Sequence, residues 1–222
     1  MEDGSLPEKL QSALKFRQWK AALAAHDVTL ESIKPLALVP PDSESVLFAM
    51  LDTKVRDAQG YLPNYVVLRG AFAAVLVCLI DEDTQNEYLL LVKQRRIATG
   101  AWFYEHPAGM VDEDTNTRQV AVKEVEEETG LRLAAASLQQ LNERPYYASP
   151  GLLDEGGYFY AIEQKLPLAQ IQDLEGNTTG NDSEHERIML AVVPRAHALS
   201  LLQNSNAALH YFLWCQNSHR TP

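Results

Sequence analysis

Residues 109–131 read GMVDEDTNTRQVAVKEVEEETGL, and this stretch decides how the rest of the chain is read. Thr117 to Thr129 has the composition of a helix, with Thr115 or Thr117 as N-cap and Gly130 at the C-terminal stop. At about 100° per residue, Glu124, Glu127 and Glu128 fall within one arc, while Val122, Val125 and Thr129 lie on the other side. Acids at this spacing repel one another, and the helix C-terminus disfavours anions as well. A solvated acidic face is the bland explanation of such a run. A site for a hard divalent cation is the functional one, because magnesium takes a few carboxylate oxygens together with water and phosphate.

Outward from the helix, Phe72 to Ile80 and Tyr88 to Val92 read as two core strands joined by the polar loop 81–87. Upstream, Leu6 to Ala25 predicts an N-terminal helix. Leu36 to Val39, Val46 to Leu51 and Tyr65 to Leu68 predict a small antiparallel unit. Downstream, β-prone segments fall at 138–147, 158–162 and 188–193, and helices at 196–203 and 207–215. This order favours an α/β (α+β) fold in which helices cover a mixed sheet. The expected division is an N-terminal extension of helix and strands over 1–70 and a catalytic domain over 71–222.

The 222 residues are 46% hydrophobic and 22% charged, the balance of an ordinary globular chain. The longest apolar run, Ala71 to Ile80, is half what a membrane span needs, and no signal-peptide core precedes it. The expectation is a cytoplasmic protein with no membrane partner. A net charge of −11 argues against a nucleic-acid partner, so an anionic substrate needs local cations. Cys78 and Cys215 sit in apolar surroundings and read as reduced thiols.

The quoted stretch resembles the Nudix box, Gly-x5-Glu-x7-Arg-Glu-U-x-Glu-Glu-x-Gly-U, where U is aliphatic. Gly109, Glu124, Val125, Glu127, Glu128, Gly130 and Leu131 match in register, whereas Thr115 replaces Glu and Lys123 replaces Arg. In the family that Glu and Arg brace the loop against the helix. Lys123 keeps the charge without a planar fork, and Glu113 and Asp114 stand nearby as substitutes. The resemblance implies the Nudix fold, with Mg2+ (or Mn2+ in its place) held by Glu124, Glu128 and the Ala108 carbonyl, and with Glu127 supporting the cluster and taking part in catalysis. Glu105-His-Pro-Ala-Gly109 is similar to the family's Glu-x-Pro-Ala-Gly lead-in.

Within the family, Ser149-Pro150-Gly151 resembles the marker of ADP-ribose and ADP-sugar pyrophosphatases. Glu184-His-Glu186 resembles their late acidic loop, which implies Glu186 as a further metal ligand and Glu184 as the catalytic base. Arg96 falls where these enzymes hold the diphosphate, Arg69 and Arg95 are further candidates, and Pro150 belongs to the substrate-binding set. Spacing does not single out Trp102, Tyr104, Tyr146 or Tyr147 as a stacking partner for adenine. The implied reaction is hydrolysis of a nucleoside diphosphate sugar, ADP-ribose or ADP-glucose, to AMP and sugar phosphate, by a homodimer built through the N-terminal extension. GDP-mannose hydrolysis and a non-catalytic nucleotide sensor are the alternatives.

Overall fold

A computed structural model describes residues 6–40, 43–111, 116–179 and 187–222, arranged in two compact units. The first comprises Met1–Phe72, Met110–Thr115 and Pro145–Gly156, and the second the remainder.

In the first unit the expected single N-terminal helix is two, α1 (Glu8–Ser12) and α2 (Leu14–Ala25), parted by extended Ala13 at φ −60° and ψ 131°. Leu10 and Phe16 would lie on different sides of one continuous helix, about 120° apart. The break lets both enter one core with Val46, Ala49, Leu51 and Leu68. Against them lies an antiparallel sheet of β1 (Thr29–Val39), β2 (Phe48–Asp57), β3 (Gly60–Tyr61) and β4 (Tyr65–Leu68), in which β2 pairs with the other three. Along β2, Ala49, Leu51, Thr53 and Val55 are buried and alternate with more exposed neighbours, the pattern of a sheet covered on one face. Asp154 closes the unit by accepting the backbone N–H groups of Arg69 at 2.6 Å and Gly70 at 3.0 Å. Burial raises the Asp154 pKa, and those two hydrogen bonds oppose the rise.

The second unit is built on β5 (Phe72–Asp81), every residue of which is buried, and β6 (Glu87–Arg96), its antiparallel partner. Asp81 shapes the turn between them by accepting from the Asp83 N–H and the Thr84 hydroxyl. The chain continues through β7 (Ala101–Glu105), β8 (Ala108–Met110), α3 (Thr117–Thr129), β9 (Gln139–Gln140) and, in the segment belonging to the first unit, β10 (Tyr146–Tyr147). It ends with β11 (Gly156–Leu166), α4 (Leu168–Gln172), β12 (Thr178–Thr179), β13 (Ile188–Pro194), α5 (Arg195–Leu201) and α6 (Ser205–Asn217). Neighbouring strands run β11, β5, β6, β13, β12, with β7 on β6, β8 on β5 and β9 on β11, a mixed sheet accompanied by helices as the sequence predicts.

The expected strand at 138–147 is only the short pieces β9 and β10, because Asn142 bonds to its neighbours through its side chain. Its amide donates to Gly157 O at 2.9 Å and accepts from the Phe159 N–H at 2.7 Å. Near the C-terminus, Arg220 pairs with Glu87 and Glu163, each at 2.8 Å, and its guanidinium lies 4.7 Å from the Trp214 ring centroid. Among the described residues no helix is long and apolar enough to cross a membrane.

Candidate active site

The second unit presents the lead-in Glu105–Gly109 to the acidic helix. Glu105 is buried at the end of β7, where it pairs with Arg96 at 2.7 Å and accepts from the Asn204 amide at the N-cap of α6. Pro107 O takes the Val75 N–H at 2.9 Å, which fixes the segment on β5. The next residue, Ala108, donates its N–H to Glu128 Oε2 at 3.1 Å.

Helix α3 has the expected bounds, but its cap is Asn116, whose side chain accepts from the Arg118 N–H at 3.2 Å and the Gln119 N–H at 3.3 Å. Thr117 cannot cap because it is already inside the helix, its hydroxyl 2.5 Å from the Tyr160 hydroxyl. Thr115 lies outside the described residues. At the other end Gly130 takes the left-handed conformation at φ 75°, and the Thr179 hydroxyl donates to Glu128 O at 2.6 Å, satisfying a carbonyl of the last turn.

The three box glutamates do not share one environment. Glu128 is 6% exposed and held against Ala108, while Glu124 folds over Gly109 so closely that a Cβ there would fall inside its carboxylate. Glu127 is exposed and pairs with Lys123 at 3.4 Å, one turn earlier. Lys123 therefore serves the outer face of α3. Glu113 and Asp114, the substitutes for the missing brace, lie outside the described residues.

Two carboxylates that converge on one glycine turn make a fitting set of hard oxygens for a magnesium ion, which also draws on water and substrate phosphate. Among the described residues no group of three acids, histidines or cysteines comes together. Glu184 and Glu186, expected as base and further ligand, lie outside the described residues, as does His185. Arg69 and Pro150 belong to the first unit. Arg69 pairs with Glu155 at 3.1 Å, and Pro150 stands in an exposed turn where the Leu152 N–H bonds to Ser149 O at 3.1 Å.

Sequence reasoning missed a buried imidazole pair beside the lead-in. His106 and His210 of α6 pack with ring centroids 4.6 Å apart, and the His210 Nε2 lies 2.8 Å from Tyr160 O. Burial lowers the His106 pKa to about 4, and it lowers that of His210 well below the ordinary value, with His106 adding to the effect. Both rings are neutral at pH 7. Asn204 was missed as well, since its partner Glu105 is 99 residues away in sequence.

A helix-borne carboxylate pair folded over a glycine turn, on a mixed sheet accompanied by helices, defines the class of this molecule. The chain belongs to the Nudix hydrolase family: the NUDIX domain model matches residues 71–214. Nudix hydrolase 14, chloroplastic, of Arabidopsis thaliana is 32% identical over 141 residues, which cover 60% of this chain and 45% of that protein. This chain thus spans less than half of that relative. An ADP-ribose pyrophosphatase of Bacillus subtilis is 26% identical over 160 residues, 70% of this chain and 77% of its own. The crystal structure of an ADP compounds hydrolase superposes with a TM-score of 0.58 at 16% identity, covering 88% of this chain and 97% of that one, a likeness of fold.

Proposed function

We propose that this chain hydrolyses the diphosphate bond of an ADP-sugar, ADP-ribose or ADP-glucose, to AMP and sugar phosphate. The observation that carries the reading is the convergence of Glu124 and Glu128 on the Ala108–Gly109 turn. It is joined by the ADP-ribose pyrophosphatase among the relatives and by Ser149-Pro150-Gly151. Glu124, Glu128, the Ala108 carbonyl and Glu186 would hold Mg2+ or Mn2+. When bound, the metal neutralises diphosphate charge and lowers the pKa of a water ligand.

The chain's own residues supply the remainder. Arg96 presents its guanidinium to the diphosphate and exchanges part of its pairing with Glu105 for phosphate oxygens. Glu184 takes the proton from the attacking water, and Glu127 is the next candidate for that role. Arg69 and Pro150 belong to the substrate-binding set. A homodimer through residues 1–70 accords with the exposed Leu36, Met50, Tyr61 and Tyr65 on the first unit's sheet.

Assaying AMP release from ADP-ribose and ADP-glucose, with and without magnesium, tests this reading. ADP-sugars are expected to turn over at least about tenfold faster than GDP-mannose or nucleoside triphosphates, a difference of about 1.4 kcal/mol in the barrier. Equal turnover of all three classes would overturn the substrate assignment, and magnesium-independent binding without AMP release would show a sensor.

A further inference from the structure

On β6 and β7 the antiparallel register sets Lys93 opposite Tyr104 and Arg95 opposite Trp102, and alternation puts all four side chains on one face of the hairpin. Lys93 Nζ lies 5.2 Å from the Tyr104 ring centroid and 5.7 Å from that of Trp102, and the Arg95 guanidinium lies 5.9 Å from the Trp102 ring. Met189, opposite Lys93 on β13, extends the apolar floor.

Two properties of this face point to a ligand. Acids outnumber bases in the chain by 30 to 19, yet among the described residues Lys93 and Arg95 meet no carboxylate within ion-pair distance. The Nε of Arg95 is engaged by Gly100 O at 2.9 Å, which orients the guanidinium. The Trp102 side chain is also 48% exposed, an indole that folding leaves half in water. A carboxylate ligand would use the cations and leave the ring, and an uncharged ring would use the indole and leave the cations. A nucleotide uses both.

We infer that the Lys93, Arg95, Trp102 and Tyr104 face binds a nucleoside 5′-phosphate, with its base stacked on Trp102 and its phosphate between Lys93 and Arg95. The inference rests on the proposed hydrolysis of nucleoside diphosphate sugars for the presence of such a ligand. The nucleotide is either part of the substrate or a free nucleoside phosphate taken up separately.

The test titrates the full chain with AMP in the absence of divalent metal and follows tryptophan emission. Trp102 is the responsive reporter, since Trp214 is fully buried and Trp19 packs on the first unit's core. Saturable quenching by AMP is expected, with ribose 5-phosphate ineffective. Lys93→Gln/Arg95→Gln, a surface change that keeps the reporter, should weaken AMP binding about tenfold or more. In the hydrolysis assay, Trp102→Ala then separates the two sources. A KM for ADP-ribose raised about tenfold with little change in kcat means that the nucleotide is the substrate's own, and an unchanged KM means a separate nucleotide. An emission that ignores millimolar AMP, or identical AMP titrations of wild type and the double variant, overturns the inference. Because this readout needs no turnover, a chain that fails to hydrolyse ADP-ribose but binds AMP defeats the proposed function and leaves the binding face standing.

Discussion

Glu128 and Ala108, 20 residues apart in the chain, are joined by a hydrogen bond of 3.1 Å from the Ala108 N–H to Glu128 Oε2. Glu128→Gln keeps a carbonyl oxygen to receive that N–H and removes the negative charge. Turnover is expected to fall by at least about 10²-fold while the melting temperature stays within a few degrees, since one charged contact is lost from a reaction that depends on charge stabilisation. Steady-state kinetics and a thermal melt decide between this and a structural role, which would leave activity unchanged and lower the melting point.

Glu184 and Glu186 are separable by their response to magnesium. If Glu184 takes the proton of the attacking water, Glu184→Gln lowers kcat by about 10²-fold or more with little change in KM. If Glu186 is a metal ligand, Glu186→Gln instead weakens metal binding, and raising magnesium is expected to restore part of its rate. A near wild-type kcat in Glu184→Gln would move the base to Glu127.

The buried imidazoles make stability depend on acidity. His106 keeps its proton off in the folded chain down to about pH 4, whereas the unfolded chain takes one up near pH 6.5. Between those values the unfolded state binds more protons, so this contribution is fully present above about pH 6.5 and is lost as pH falls through 6.5 toward 4. The fall amounts to about 3 kcal/mol for His106, with His210 acting in the same direction. Urea unfolding at pH 7.5 and 4.5 should show a smaller drop for His106→Leu than for the wild type. Equal drops would place the acid sensitivity in other groups.

Arg220→Ala removes two ion pairs and the contact with Trp214, and leaves Glu87 with Arg195 at 2.6 Å. A loss of about 1 kcal/mol and a melting temperature lower by about 2–4 °C are expected, with kcat unchanged because no catalytic group is touched. A calorimetric melt checks the first and the AMP-release assay the second.

Much of this was legible in the sequence wherever local chemistry decides the outcome. The helix Thr117–Thr129 was delimited by Gly130 and by its run of glutamates, and the hairpin of β5 and β6 by two apolar runs around a polar turn. Asn116 lost out to its threonine neighbours because both residue types cap well. Ala13 carries no breaking signal, and only the joint burial of Leu10 and Phe16 accounts for the break. Placing Glu127 outside the carboxylate pair needed the position of the Gly109 turn, which helical spacing does not contain. Contacts such as Asn204 with Glu105 arise only once β7 and α6 have met.

The close fit of Gly109 to Glu124 carries a consequence for inheritance. Every amino acid that a single nucleotide change can reach from a glycine codon has a Cβ, and here that atom would occupy the space of the Glu124 carboxylate. A replacement at Gly109 would have to push the Glu124 carboxylate aside, so a lineage under selection for the position of that carboxylate is expected to hold the codon to its synonyms. In a saturation library of the gene, the tolerated changes at Gly109 should be confined to silent ones even where Lys123 and Glu126, on the exposed side of α3, vary freely.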